Sequence, residues 1–195
     1  MAVQTKPFIT PEEYLERERQ AEYKSEYYNG EIFAMSGGSG NHSLLASNFI
    51  VQLSISLQGT GCLVFTSDLC VHIPITGLFT YPDLSVVCNG VQYLDENHDI
   101  LLNPVLLVEV LSPSTESYDR GKKFAFYRSI PSLKEYALVS QRQKLVEVFR
   151  KNEENLWVLH ETDEARGTVE LASVGCALQL DDLYANVTFE DVSLH

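Results

Sequence analysis

The chain has 195 residues, 45% hydrophobic and 21% charged, which predicts one globular domain over residues 1–195 with a sizeable core. No apolar run approaches the length of a membrane span, which excludes a spanning helix. Its 14 Lys+Arg against 27 Asp+Glu leave a formal charge of -13, which argues against nucleic-acid binding by broad neutralisation of phosphates.

Thr10-Pro11-Glu12-Glu13 is a capping box with proline at the first helical position, predicting a helix over about 11–20. Asn29-Gly30, between Glu26-Tyr27-Tyr28 and Glu31-Ile32-Phe33, predicts a two-residue hairpin turn. Gly37-Gly38-Ser39-Gly40 reads as a hinge, since the Lys-Ser/Thr of a phosphate-binding loop is missing. Asn41 is the expected cap of a helix from His42 to about Gln58. In it Leu45, Phe49, Leu53 and Leu57 recur every four residues, and Gly59 or Gly61 closes it.

The middle of the chain predicts strands at about 62–66, 68–74, 82–88 and 104–111. The last two are nearly continuous apolar runs, as in central strands covered on both faces. Ser114 or Thr115 starts a helix to about Arg128, ended by Pro131. Strands at about 135–140, 144–150, 156–161 and 168–173 follow, and Asp181-Asp182-Leu183-Tyr184 forms a last short helix. The fold class is mixed α/β, of the α+β kind, with an N-terminal β-hairpin.

The opening MAVQTKPFITPEEY places no basic segment ahead of a long apolar one, which predicts no secretory signal and a cytoplasmic protein. Cys62, Cys70, Cys88 and Cys176 form no Cys-x-x-Cys and are expected as buried free thiols in a reducing compartment, not as a zinc site.

Two carboxylates interrupt the apolar runs: Asp83 in Tyr81-Pro82-Asp83-Leu84 and Glu109 in Leu107-Val108-Glu109-Val110. A buried carboxylate without a partner is costly, so something should pair with each. On neighbouring central strands they would share Mg²⁺ or Mn²⁺, which can activate water and neutralise phosphate charge. The plainer account has Asp83 capping a turn and Glu109 paired with a nearby Lys or Arg. Many metal-dependent nucleases carry Pro-Asp and then Glu-x-Lys on a strand, but here Leu111 takes the lysine position on the face of Glu109. Lys123, in Asp119-Arg120-Gly121-Lys122-Lys123, shares a helix face with Asp119 and with Tyr127. Its long stem could bring the ammonium back to the carboxylates; otherwise it is a solvent-exposed partner of Asp119.

Ser112-Pro113-Ser114 lacks the small-residue elbow of a serine nucleophile. His72, His98, His160 and His195 have no metal-ligand spacing. Tyr27-Tyr28 are half-buried strand aromatics in the plainer reading and base-stacking groups in the other.

The order YYNGEIFAMSGGSGNH, YPDLSVV, LLVEVLSPST, YDRGKKFAFY and SLKEYALVS resembles the Uma-type restriction endonuclease family of the PD-(D/E)XK nuclease superfamily, over about Pro11 to Tyr184. The resemblance implies a restriction-endonuclease-like fold with a mixed central sheet flanked by helices. It implies metal-dependent hydrolysis of phosphodiester bonds, with Asp83 and Glu109 as metal-binding carboxylates and Lys123 as the displaced lysine. Glu31 and His42 match acidic and histidine positions near that site. Ala137 stands where many relatives carry an aromatic. The implied substrate is DNA, with RNA open, and a homodimer would suit cutting both strands. The alternative, suggested by Leu111 and the acidic balance, is an inactive nuclease-fold binding or regulatory module.

Overall fold

The structure is a computed structural model that describes residues 7–35 and 37–189. The leader reading at the first residues, and His195, lie outside the described residues in part or whole. In chain order the first half comprises α1 (Pro11–Glu18), β1 (Ser25–Tyr28), β2 (Glu31–Ala34), α2 (Gly40–Ser56), β3 (Cys62–Thr66), β4 (Cys70–Ile73), β5 (Leu78–Thr80), β6 (Leu84–Cys88) and β7 (Ile100–Leu101). The second half comprises β8 (Leu106–Val110), α3 (Glu116–Tyr118), a π-helical turn (Asp119–Lys123), α4 (Phe124–Tyr127), β9 (Glu135–Val139), β10 (Leu145–Lys151), β11 (Trp157–Asp163), β12 (Thr168–Leu171), β13 (Cys176–Gln179) and α5 (Leu180–Leu183).

The local signals act as their chemistry requires. Thr10 accepts from the Glu13 amide while the Glu13 carboxylate accepts from the Thr10 amide, closing the capping box. Asn29 and Gly30 both take positive φ, 49° and 84°, as the hairpin turn demands. Ser39, not Asn41, caps α2, accepting from the His42 amide; Asn41 instead donates to the Thr188 carbonyl. The helix expected over residues 114–128 is broken by the π turn, which re-aims its polar side chains. The expected strands 68–74 and 104–111 are trimmed to β4 and β8, and β5, β7 and β13 are additional.

A six-stranded mixed sheet, in the order β11-β10-β9-β8-β6-β3, forms the centre. Only the β8–β9 pair within it is parallel. A five-stranded sheet runs β2-β1-β5-β4-β7, and β12-β13 form a separate hairpin. Strand alternation divides the core. Leu106, Val108 and Val110 of β8 pack with Leu45, Phe49 and Leu53 of α2 and with Leu178, Leu180 and Leu183. Leu107, with Leu111 just past β8, faces the other way, packing with Val71, Ile73 and Leu78 of the five-stranded sheet and with Phe124 and Tyr127 of α4. Tyr14 of α1 stacks on Tyr27 and packs tilted against Phe79 of that second sheet. Leu111 therefore fills core volume where a lysine was sought.

The cysteine expectation is corrected in part. Cys62 and Cys88 are directly opposed on the antiparallel β3–β6 pair and are joined by a disulfide, whereas Cys70 and Cys176 are free. The pairing puts both sulfurs on the same side of adjacent strands, which the sequence spacing alone did not reveal.

Candidate active site

Register builds the site. β6 and β8 are antiparallel with Leu84 opposite Val108 and Ser85 opposite Leu107. One further step sets Asp83 opposite Glu109, both on the face of β6 and β8 turned toward the five-stranded sheet. Asp83 lies just before β6 and accepts a 2.7 Å hydrogen bond from the Val110 amide through Oδ2. The same oxygen lies 3.2 Å from His42 Nε2 on the first turn of α2. Gly38 lets His42 approach: a Cβ at this glycine would lie 2.8 Å from His42 Nδ1.

Glu109 is buried, and two groups converge on its Oε1: Lys123 Nζ at 2.7 Å and the Tyr127 hydroxyl, which donates at 2.8 Å. Lys123 Nζ also lies 3.5 Å from Glu26 Oε1 and 3.6 Å from Asp119 Oδ1. The Asp119–Lys123 pair is thus buried, not the exposed surface pair of the plainer reading. Arg120 anchors the π turn that presents both residues, through a two-point contact with Glu147 of β10 and a bond to Glu116. Thr80 of β5 donates to Glu26.

Electrostatics follow from this crowding. Burial pushes the Glu109 carboxyl up to about 8; Lys123 opposes the rise, and the negative charges of Asp83 and Asp119 add to it. Burial also raises Asp119. Burial works to lower Lys123, but Glu109, Glu26 and Asp119 outweigh it and hold the ammonium protonated well beyond neutral pH. The hydrogen bond to Asp83 raises His42.

These groups line a cleft of about 370 Å³ that also includes Phe33, Met35, Gly38, Ser39, Tyr118 and Gln141. Of the residues proposed from sequence, Asp83, Glu109, Lys123 and His42 line it together, with Tyr127 immediately behind Glu109. Glu31 does not: it is exposed on β2, on the same face of the hairpin as Phe33 and Glu26 but displaced toward the turn, opposite Tyr28. Glu26, one strand away, supplies the carboxylate expected of Glu31. Glu26 and Asp119 were the acidic residues not proposed for the site. Period-two alternation does not separate Glu26 from Glu31, which share a hairpin face, so no short-range signal singles out Glu26. Gln141 was missed too; it donates to the Leu111 carbonyl at 2.7 Å and accepts from Ser39, tying α2 to the end of β8.

The donor set fits a hard divalent cation in a limited way. Both contacts to Asp83 fall on Oδ2 and both to Glu109 on Oε1, so among the described residues the second oxygen of each has no donor. Four carboxylates face one ammonium and one histidine in the cleft. Among the described residues no three His, Cys, Asp or Glu side chains converge as a ready metal cage. Two carboxylate oxygens with the remaining shell left to water and substrate suit Mg²⁺ better than an ion that demands a full protein cage.

A mixed sheet that ends in opposed carboxylates with a lysine brought in from the following helix defines a restriction-endonuclease-like α+β protein. Residues 11–181 match the Uma2 family, described as "Putative restriction endonuclease", and the chain belongs to that family. Two uncharacterized proteins of Synechocystis, slr1290 and sll1609, are similar throughout. The first is 38% identical over 94% of this chain and 95% of its own length. The second is 36% identical over 88% and 97%. The fold is similar to the crystal structure of a "putative nuclease belonging to DUF820" from Anabaena variabilis, with TM-score 0.74 and 22% identity over 91% of this chain and 98% of that one.

Proposed function

We propose that the protein is a divalent-metal-dependent endonuclease that hydrolyses phosphodiester bonds in DNA, working as a single domain and, on duplex substrates, as a homodimer. The observation that carries the reading is the 2.7 Å contact of Lys123 Nζ with Glu109, opposite Asp83, at the floor of one cleft. Asp83 and Glu109 would hold Mg²⁺ or Mn²⁺, which supplies an activated water and neutralises charge on the scissile phosphate.

Each side chain has a part that follows from its contacts. His42 and the Val110 amide fix Asp83 Oδ2 and leave its other oxygen facing the cleft. The Tyr127 hydroxyl does the same for Glu109. Lys123 is held protonated, so it is a donor and not a general base. Its Nζ can hydrogen-bond the attacking water or the phosphate oxygens as negative charge builds. Glu26 and Asp119 hold that ammonium in place against the cost of burial. Family membership and the fold support the nuclease class, and the family's restriction-endonuclease description supports DNA as the substrate; the metal and the residue roles rest on this geometry.

Incubating the protein with supercoiled plasmid and Mg²⁺ or Mn²⁺ tests the reading. Nicking by the wild type that disappears in Asp83→Ala, Glu109→Ala and Lys123→Ala supports it; equal background in wild type and Asp83→Ala overturns it. A second reading, an inactive binding module, is favoured by the absence of a three-ligand cage among the described residues. It predicts nucleic-acid binding with no metal-dependent nicking.

A further inference from the structure

The cleft presents an aromatic wall to its substrate that the hydrolytic machinery does not use. Phe33 lies on β2 directly opposite Glu26 of β1, so its side chain falls on the same face of the hairpin as the carboxylate that contacts Lys123. Phe33 is 46% exposed and Met35, two residues on and on the same face, is 37% exposed; both line the cleft. Tyr118 of α3 lines it from a separate element. Of the aromatics noted from sequence as possible stacking groups, Tyr27 is turned to the other face, against Tyr14 and Phe79, and Tyr28, on the face of Phe33 but nearer the turn, packs against Phe126 outside the cleft lining.

Charge narrows what this wall is for. Among the described lining residues Lys123 is the single lysine, and there is no arginine. Lys123 is already committed to three carboxylates. Affinity for a polyanion in such a cleft draws little on neutralisation of phosphates by its own side chains, the term that dominates binding to duplex DNA. Stacking of bases on exposed aromatic side chains needs no such charge, and it requires bases free of their partner strand.

Resting on the nuclease reading above, we propose that the cleft takes an unpaired stretch of DNA, with a base stacked on Phe33 against Met35 while the adjoining phosphate reaches Asp83, Glu109 and Lys123. Phe33 is a positioning and specificity residue in this scheme: it selects single-stranded or locally opened substrate over closed duplex. Because stacking replaces ion pairing, binding falls only shallowly with salt, with a log–log slope of magnitude below about 2.

The test uses the full chain with Ca²⁺ or Mg²⁺ and three fluorescein-labelled DNAs of one sequence: a single strand, its duplex, and the single strand with abasic central positions. Anisotropy gives affinity, and cleavage is followed in parallel with Mn²⁺. Wild type should bind the single strand about tenfold more tightly than the duplex or the abasic strand. Phe33→Ala should lose about tenfold on the ordinary strand and nothing on the abasic one; Phe33→Trp should retain wild-type affinity and Phe33→Leu should not. A merely structural role would weaken all three DNAs alike. Equal affinity of wild type and Phe33→Ala for the single strand, or tighter binding of the duplex, overturns the stacking proposal while leaving the nuclease reading intact if cleavage persists. Neither binding nor cleavage of any of the three by wild type overturns both.

Discussion

Two buried carboxylates sit toward opposite ends of the parallel β8–β9 pair, and their surroundings differ in kind. Glu135, at the start of β9, is fully satisfied. Its Oε1 accepts from Arg150 Nε at 2.5 Å and the Ala172 amide, and its Oε2 accepts from the amide and hydroxyl of Ser173. One carboxylate meets one guanidinium, and every oxygen has its donors. At the far end, Glu109 shares a single ammonium with Glu26 and Asp119, has Asp83 across the β6–β8 pair, and keeps one oxygen open to the cleft. The first arrangement locks the β12–β13 segment to the sheet. The second holds excess negative charge that a substrate-bound cation would relieve. Both are buried ion pairs, yet only the unbalanced one has a vacancy for chemistry, which is why burial of a charge alone does not mark a site.

The comparison is tested most severely by breaking each cluster. Glu135→Gln should cost about 3–5 kcal/mol of stability, read from chemical denaturation, because it leaves Arg150 without its ionic partner; the folded fraction should keep its full rate of plasmid nicking. Glu109→Gln should do the reverse: nicking falls about a thousandfold, while thermal stability near neutral pH changes little, because a carboxyl held protonated up to about 8 gives way to a neutral amide while Glu26 and Asp119 still pair the Lys123 ammonium. Destabilisation of equal size in both would dissolve the distinction.

Reducing Cys62–Cys88 should cost about 3 kcal/mol by the loop-closure estimate for a sequence separation of 26, read as a shift of the denaturation midpoint with dithiothreitol. The clasp joins β3 to β6 on the strand that leads out of Asp83, so nicking by the folded, reduced protein should persist.

pH supplies a contrast of sign. Burial raises Glu109 from 4.5 to about 8 in the folded state, so the folded protein binds this proton more tightly than the unfolded chain does. Its contribution to stability is fully present below the unfolded value and is lost as pH rises toward 8. Metal affinity and nicking should rise over the same interval, since the ion needs the ionised carboxylate. In Glu109→Gln the falling stability limb should flatten. A nicking rate that declines from pH 6 to about 8 would contradict the assignment.

The smallest effect is expected at Gly38. Alanine there would bring a Cβ within 2.8 Å of His42 Nδ1 and push the ring off Asp83. Nicking should drop by about tenfold with little change in stability, and His42→Ala should show no further loss when combined with it.

Much of the fold was legible because short-range chemistry dictates it. The Thr10–Glu13 box, the Asn29-Gly30 turn and the four-residue spacing of Leu45, Phe49 and Leu53 each specify their element locally. Asp83 and Glu109 could be paired as candidates because each interrupts an apolar strand. Lys123 was legible through helical spacing from Asp119 and Tyr127, although the turn that aims it is π, not α. What stayed hidden depends on long-range register. Glu26 and Glu31 are indistinguishable until the hairpin is seated with β1 beside β5, which buries Tyr27 and turns Glu26 toward Lys123. The Cys62–Cys88 bridge likewise needs the β3–β6 register, and β7 is a two-residue strand with no periodicity to read.

The central claim is that Asp83 and Glu109 form one cation site. Calorimetric titration of Mn²⁺ into the wild type, Asp83→Ala and Glu109→Ala measures it directly. The account predicts saturable binding of the ion to the wild type, accompanied by proton release, and its loss in both variants. Binding unchanged in both variants would contradict it.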